Sequence, residues 1–160
     1  EELQRTGAEY ELAEDGAMQD LESQFIEASS EANSLFLNLV KSKKQQAVNI
    51  LYVLKEQRIN VDTRDAELIT IFKKYSESRE IDSYNGKNDF RYNIALKIVK
   101  EDIETIELKA TIISNLKNFE NTKDGYFFRD KNIGKDKNEM EKYFANNNEM
   151  REHLYNLKQK

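Results

Sequence analysis

The sequence predicts an all-α fold, an elongated bundle of four to five helices with long coiled-coil-like seams. Two observations carry this. The first is what the chain lacks: it has no Pro, no Cys and no Trp, and a single His, His153. The strongest helix breaker is therefore missing, together with disulfides and Cys-based metal sites. The second is rhythm. Apolar residues recur three and four apart over 18–39 and again over 92–113, the repeat of one helix face. No alternating run that would read as a strand stands out against it.

Residues 1–16 read as an acidic, flexible N-terminal tether, interrupted by Gly7 and Gly16 and poor in apolar residues. A single helical domain is expected over 17–160. It begins with a seam of Met18, Leu21, Phe25, Ala28, Ala32, Leu35 and Leu39, which then shifts to Val40, Ala47, Ile50, Leu51 and Leu54. Ser29-Ser30 suggests a break or kink near Ser29–Asn33, or sits inside one long helix. A turn follows at Arg58–Asp62. Asp62 or Thr63 then caps a shorter helix, with Asp65 and Glu67 at its positive end and a stripe of Leu68, Ile71, Phe72 and Tyr75.

Ser76–Asn88 is polar, with Asn85-Gly86 as a turn signal. Asp89 opens the strongest helix, expected to run unbroken to about Asn118 and to be central to the bundle. Tyr92, Leu96, Val99, Ile103, Ile106, Ala110 and Ile113 form its seam, so Ile103 is expected in the core. Phe119–Lys135 reads as the longest irregular stretch of the body. A last helix covers about Asp136 to Leu157, weakened by Asn146-Asn147-Asn148.

The apolar fraction is 38% and the charged fraction 34%, which is polar for a globular chain, yet 16 aromatics and 13 Ile are too many for a disordered one. The net charge of −5 is uneven: residues 1–34 hold ten acids and one base, while 35–160 are at +4. A body this weakly basic shows no footprint for nucleic acid or for a membrane-surface helix. No apolar run is long enough to span a bilayer, so membrane attachment is expected only through a lipid anchor that this chain does not carry. The opening at Glu1 reads as a processed or trimmed product.

No pattern for a cofactor, a metal or a catalytic constellation is found, and an enzyme is not expected. The loops around Gly125 and Gly134 fail as calcium loops. An EF-hand needs oxygen ligands at its first, third and fifth positions and Glu at its twelfth. Setting Gly134 in the glycine place puts Arg129, Lys131 and Ile133 where ligands belong; setting Gly125 there puts Lys131 last. His153 has no Ser or carboxylate motif pointing at it. Glu101, Asp102, Glu104 and Glu107 lie beside Lys97, Lys100 and Lys109 and read as a solvated, ion-paired helix face.

One island stands out. Tyr126, Phe127, Phe128 and Arg129, with Lys131 close by, place aromatics and cations in a polar stretch between helices. These residue types dominate binding hot spots, and this is the candidate partner-binding site. Phe127 or Phe128 can instead fold back and plug the end of the bundle. Lys135 and Lys137 would add steering toward an acidic partner.

The acidic leader, the Lys/Glu/Asn/Ile-rich helical body, and segments such as KSKKQQAVNILYVLKEQ (41–57) and FRYNIALKIVKEDIETIELKATIISNLKNF (90–119) resemble the surface lipoproteins of Borrelia spirochaetes. Within that group the chain resembles the factor H-binding proteins of relapsing-fever Borrelia. The resemblance covers most of the chain and rests on composition and architecture. It implies a lipid-anchored outer-surface protein that captures host complement factor H for immune evasion, with plasminogen as a further host ligand. The acidic leader would then be an extended spacer from the membrane. The alternative is an intracellular helical scaffold or phage-type interaction protein that self-associates through a coiled coil at 17–57. The length of the 18–39 seam leaves room for a homodimer in either case.

Overall fold

The computed structural model describes residues 7–158, with side chains described for 19–157. Residues 1–6 of the acidic leader lie outside the described residues, and 7–16 are wound into the first helix. Helix α1 spans Gly7–Ser42 without a break. The kink expected near Ser29–Asn33 is not formed. Ser29 instead turns its hydroxyl back onto the Phe25 carbonyl at 2.8 Å, which satisfies it inside the helix. The chain leaves the helix at Lys43 (φ −144°, ψ 64°), where α2, Lys44–Val53, starts in a new direction.

Helix α3 (Asp65–Ser76) follows a polar turn in which Asp62 N–H donates to Asn60 Oδ1 at 2.7 Å. Its cap position is Arg64, not Asp62 or Thr63, and no side chain caps it. Leu68 and Phe72 are fully buried, and Phe72 stacks on Phe36 of α1 with centroids 4.1 Å apart. Along the described part of α1 the buried apolar positions are Ala28, Ala32, Phe36 and Val40, one turn apart. Leu35 and Leu39 of the expected seam lie at their edge, and Leu21 stays exposed.

The all-α expectation is corrected by two small antiparallel sheets. The polar segment after α3 folds into a hairpin of β1 (Ile81–Tyr84) and β2 (Lys87–Phe90). Asn85 (φ 55°) and Gly86 (φ 77°) form its two-residue turn, both residues with positive φ as a tight hairpin of this hand requires. The stretch expected to be irregular at 119–135 is a three-stranded meander of β3 (Glu120–Thr122), β4 (Gly125–Phe128) and β5 (Lys131–Gly134), in the order β3-β4-β5. These strands are three or four residues long. At that length a polar strand with one buried side chain shows no readable alternation.

The helix expected to run through 90–118 is two helices, α4 (Arg91–Lys100) and α5 (Ile103–Ser114). Glu101 and Asp102 between them are extended, and the Asp102 carboxylate accepts from Thr105 N–H at 2.8 Å as an N-cap. Ile103 consequently sits in the first turn of α5 and is 46% exposed, not in the core. The last expected helix is likewise split into α6 (Lys137–Ala145) and α7 (Asn148–Lys158), with Asn147 Oδ1 accepting from Met150 N–H at 3.1 Å.

The break at Asp102 lets the two halves serve different neighbours. Helix α4 packs on α1 and α3, while α5 packs on α2, α6 and α7. Two apolar cores result. The first gathers Phe36, Val40, Ile50, Leu51, Leu68, Phe72, Ile98 and Ile106. The second gathers Leu108, Ile112, Phe119, Phe128, Ile133, Met140, Phe144 and Leu154. Helix α5 supplies side chains to both. Gly134 (φ 134°) lets β5 lie against α6, where an added Cβ would come within 2.7 Å of the Glu139 Cβ.

Candidate partner-binding site

The expected site residues are all on the β4–β5 hairpin, but they do not share one face. Phe128 is buried in the second core, its centroid 5.4 Å from Phe119 and 6.1 Å from Phe144. Tyr126 is half-buried and packs against the same core. Phe127 is half-buried and pairs across the sheet with Asn132. Arg129 and Lys131 are exposed at the hairpin tip, where Arg129 (φ 51°) and Asp130 (φ 64°) form the turn. The hairpin thus presents cations and keeps at least one of its three rings for packing. This is the plugging role left open by the sequence.

A second aromatic cluster with an Arg lies where α1 meets the β2–α4 junction. Phe25 of α1 meets Tyr92 edge-on at 5.1 Å, and Phe90 stacks on Tyr92 at 5.2 Å. The guanidinium of Arg79 lies over the Phe25 ring at 4.3 Å and is held by Glu22 at 2.7 Å. Leu21 completes the lining of a groove of about 230 Å³. Leu21 is 54% exposed and Phe90 37%, so the apolar surface is open to solvent. Sequence reasoning missed this site because Phe25 and Tyr92 are far apart in the chain. The readable signal was Phe90-Arg91-Tyr92 next to the Asn85-Gly86 turn, which folds Arg79 back toward those rings.

The remaining polar clusters hold the fold together. Behind the first hairpin, Lys109 is 8% exposed and its ammonium donates to Asn85 Oδ1 at 2.7 Å and to Glu141. Tyr84 donates its hydroxyl to Glu101 at 3.0 Å; burial first, and then the Glu101 charge, push its phenol well above the ordinary range. Tyr75 donates to Asp82 at 3.1 Å and is raised by burial and by that carboxylate. Burial works to raise the Asp82 carboxyl. The Ser83 N–H, the Tyr75 hydroxyl and the Lys55 and Arg91 charges outweigh it and hold the group below its ordinary 3.8. An open cleft of about 600 Å³ beside this cluster has an apolar floor of Leu51, Leu54 and Ile59, with both cations and acids on its rim.

Among the described residues no group of three His, Cys, Asp or Glu side chains is placed to hold a metal. His153 is part-exposed, its Nε2 lying 3.9 Å from Glu149. No described helix is long and apolar enough to cross a membrane. No family model, no curated protein and no solved structure matches the chain.

Proposed function

We propose that this chain is a protein-capture module displayed as a lipoprotein on a bacterial outer surface, with host complement factor H as its partner and plasminogen as a further ligand. The observation that carries the capture role is the open groove of Leu21, Phe25 and Phe90, floored by the buried Tyr92, with Arg79 over the Phe25 ring. Aromatic rings and Arg in a shallow groove supply large contact area at low side-chain entropy cost. The partner's identity rests on the resemblance to spirochaetal lipoproteins. The exposed cations Arg129 and Lys131 at the β4–β5 tip lie on a rigid meander and add a second contact region.

The test is retention of factor H from human serum on the folded protein. Wild type should retain it. Arg79→Ala with Phe90→Ala should lower retention at least about tenfold at an almost unchanged melting temperature. Arg129→Ala with Lys131→Ala reports whether the hairpin tip contributes. A wild type that leaves factor H in the flow-through removes that partner.

The exposed Leu21 and Ile26 on α1 also favour a second reading, a scaffold that self-associates through this helix. Sedimentation equilibrium separates the two, because a scaffold dimerises without serum.

A further inference from the structure

Residues 19–27 of α1 pack little against the body. From residue 19 to 27 every side chain is exposed except Phe25, which is half-buried against Tyr92 and Arg79, and the first fully packed position is Ala28. Leu21 and Ile26 are more than half exposed on this stretch. An isolated helix of this length has little stability of its own in water and is held by packing of an apolar face. Here the groove lined by Leu21, Glu22, Phe25, Arg79, Phe90 and Tyr92 opens part of that face to solvent, with Arg79 lying over the Phe25 ring and paired with Glu22.

The charge around the groove decides what covers it. Residues 7–27 hold seven acids, Glu9, Glu11, Glu14, Asp15, Asp20, Glu22 and Glu27, and no Lys or Arg. Glu22 is engaged by Arg79. Asp20 and Glu27, seven residues apart and therefore on one stripe of the helix, have no cation within ion-pair distance among the described residues. A second copy laid along this stretch, parallel or antiparallel, would set seven acids against seven. Like charges in register cost binding energy and slow encounter. A cationic segment gains on both counts.

We propose that this groove seats a cationic, amphipathic helical segment of a protein partner, with an apolar side chain inserted between Leu21, Phe25 and Phe90 and Lys or Arg side chains lying along the acidic face of α1. This rests on the capture role proposed above and gives the partner's chemistry at that same surface. The mode is a helix in a groove, with the apolar anchor fixing position and the charges setting the on-rate.

The test uses the full chain and two synthetic amphipathic helices of equal length and the same Leu face, one with Lys and one with Glu on the polar side, followed by fluorescence anisotropy. The Leu/Lys helix should bind and the Leu/Glu helix should not. Phe25→Ala with Phe90→Ala should weaken the Leu/Lys helix at least about tenfold. Asp20→Asn with Glu27→Gln should weaken it by a smaller factor and flatten its salt dependence, since screening acts only on the charge contribution. Equal binding of the two helices, or Leu/Lys binding that ignores the loss of both rings, overturns the proposal; the second outcome is attraction to an acidic stretch without a seat. A concentration-dependent dimer that buries Phe90 overturns it in favour of a second copy. The serum experiment keeps the two readings apart. Factor H retention that depends on Phe90 but not on salt leaves the capture role standing and removes the cationic segment. Retention that ignores Phe90 removes the capture role of this groove.

Discussion

The ammonium of Lys109 on α5 is clasped by the carboxylate of Glu141 on α6 and by the Asn85 amide oxygen in the first hairpin turn, beneath the ring of Tyr84 at 5.2 Å. One side chain thereby ties the Asn-Gly turn, the helix that feeds both cores and the second core's α6. Lys109 is 8% exposed and Glu141 23%. Replacing Lys109 by Met keeps the stem's packing but leaves Glu141 facing a turn with no cation. The expected loss is about 3 kcal/mol, as for a buried pair broken on one side. Glu141→Gln should cost less, because Asn85 still accepts from Lys109. A urea-unfolding double-mutant cycle checks this, with a coupling above about 1 kcal/mol expected.

Ile103 and Ile106 give a sharp contrast on one helix. Ile106 is fully buried in the first core, and Ile103 is 46% exposed just after the Asp102 cap. Ile106→Ala should cost about 2–5 kcal/mol, while Ile103→Ala should stay within about 1 kcal/mol. Equal losses in chemical denaturation would mean that α4 and α5 run on as one helix, with Ile103 turned inward.

Two half-buried tyrosines set an alkaline limit. Tyr84 and Tyr75 titrate above the ordinary 10.0 in the folded protein, through burial and the carboxylates they donate to. With the folded pKa raised, the unfolded chain releases its protons first. Stability is therefore full below pH 10 and falls as pH rises beyond it. Tyr84→Phe should be less stable at neutral pH, having lost the bond to Glu101, but should lose less on going to alkaline pH than wild type. Asp82 and Asp89 set the acid side. Burial works to raise Asp89 as it does Asp82, yet Asn93, Phe90 N–H and Lys97 hold it low. With folded values depressed, their contribution is present above the ordinary carboxylate range and is lost as pH falls through it. Melting temperature measured across pH reads both limbs.

The parts of this fold that could be read from the chain are those with one long apolar stripe. Leu68, Ile71, Phe72 and Tyr75 were spaced as a helix face and pack as one. What escaped had no stripe to show. The strands Ile81–Tyr84 and Lys87–Phe90 are largely polar and half or fully exposed, so only their turn, Asn85-Gly86, left a mark. Asp102 looked like one more acid on a charged helix face. Its cap role depends on Thr105 three residues on, a local signal outweighed by the apolar period running across it. Of the candidate site, the aromatic and cationic chemistry of 126–131 was legible, but which ring faces the core depends on Phe119 and Phe144. The Phe25–Tyr92 contact depends wholly on tertiary structure.

The β4–β5 turn allows binding to be tested without disturbing the fold. Arg129 and Asp130 both hold positive φ, 51° and 64°, a conformation that costs most L residues, Asn and Asp least, and that Gly adopts freely. Asn-Gly is the preferred pair for such a two-residue turn. Arg129→Asn with Asp130→Gly should therefore preserve or raise the melting temperature, by up to about 1 kcal/mol of added stability, while removing the Arg at the tip. Phe128→Ala, one residue earlier, should cost about 3 kcal/mol, because that ring packs between Phe119 and Phe144. If the tip contributes to capture, the Asn-Gly variant loses serum-protein retention at full stability. Phe128→Ala would lose it only in step with unfolding. Full retention by the Asn-Gly variant, melting at or above the wild-type temperature, assigns no recognition to Arg129 and leaves the groove at Phe25 and Phe90 to carry it.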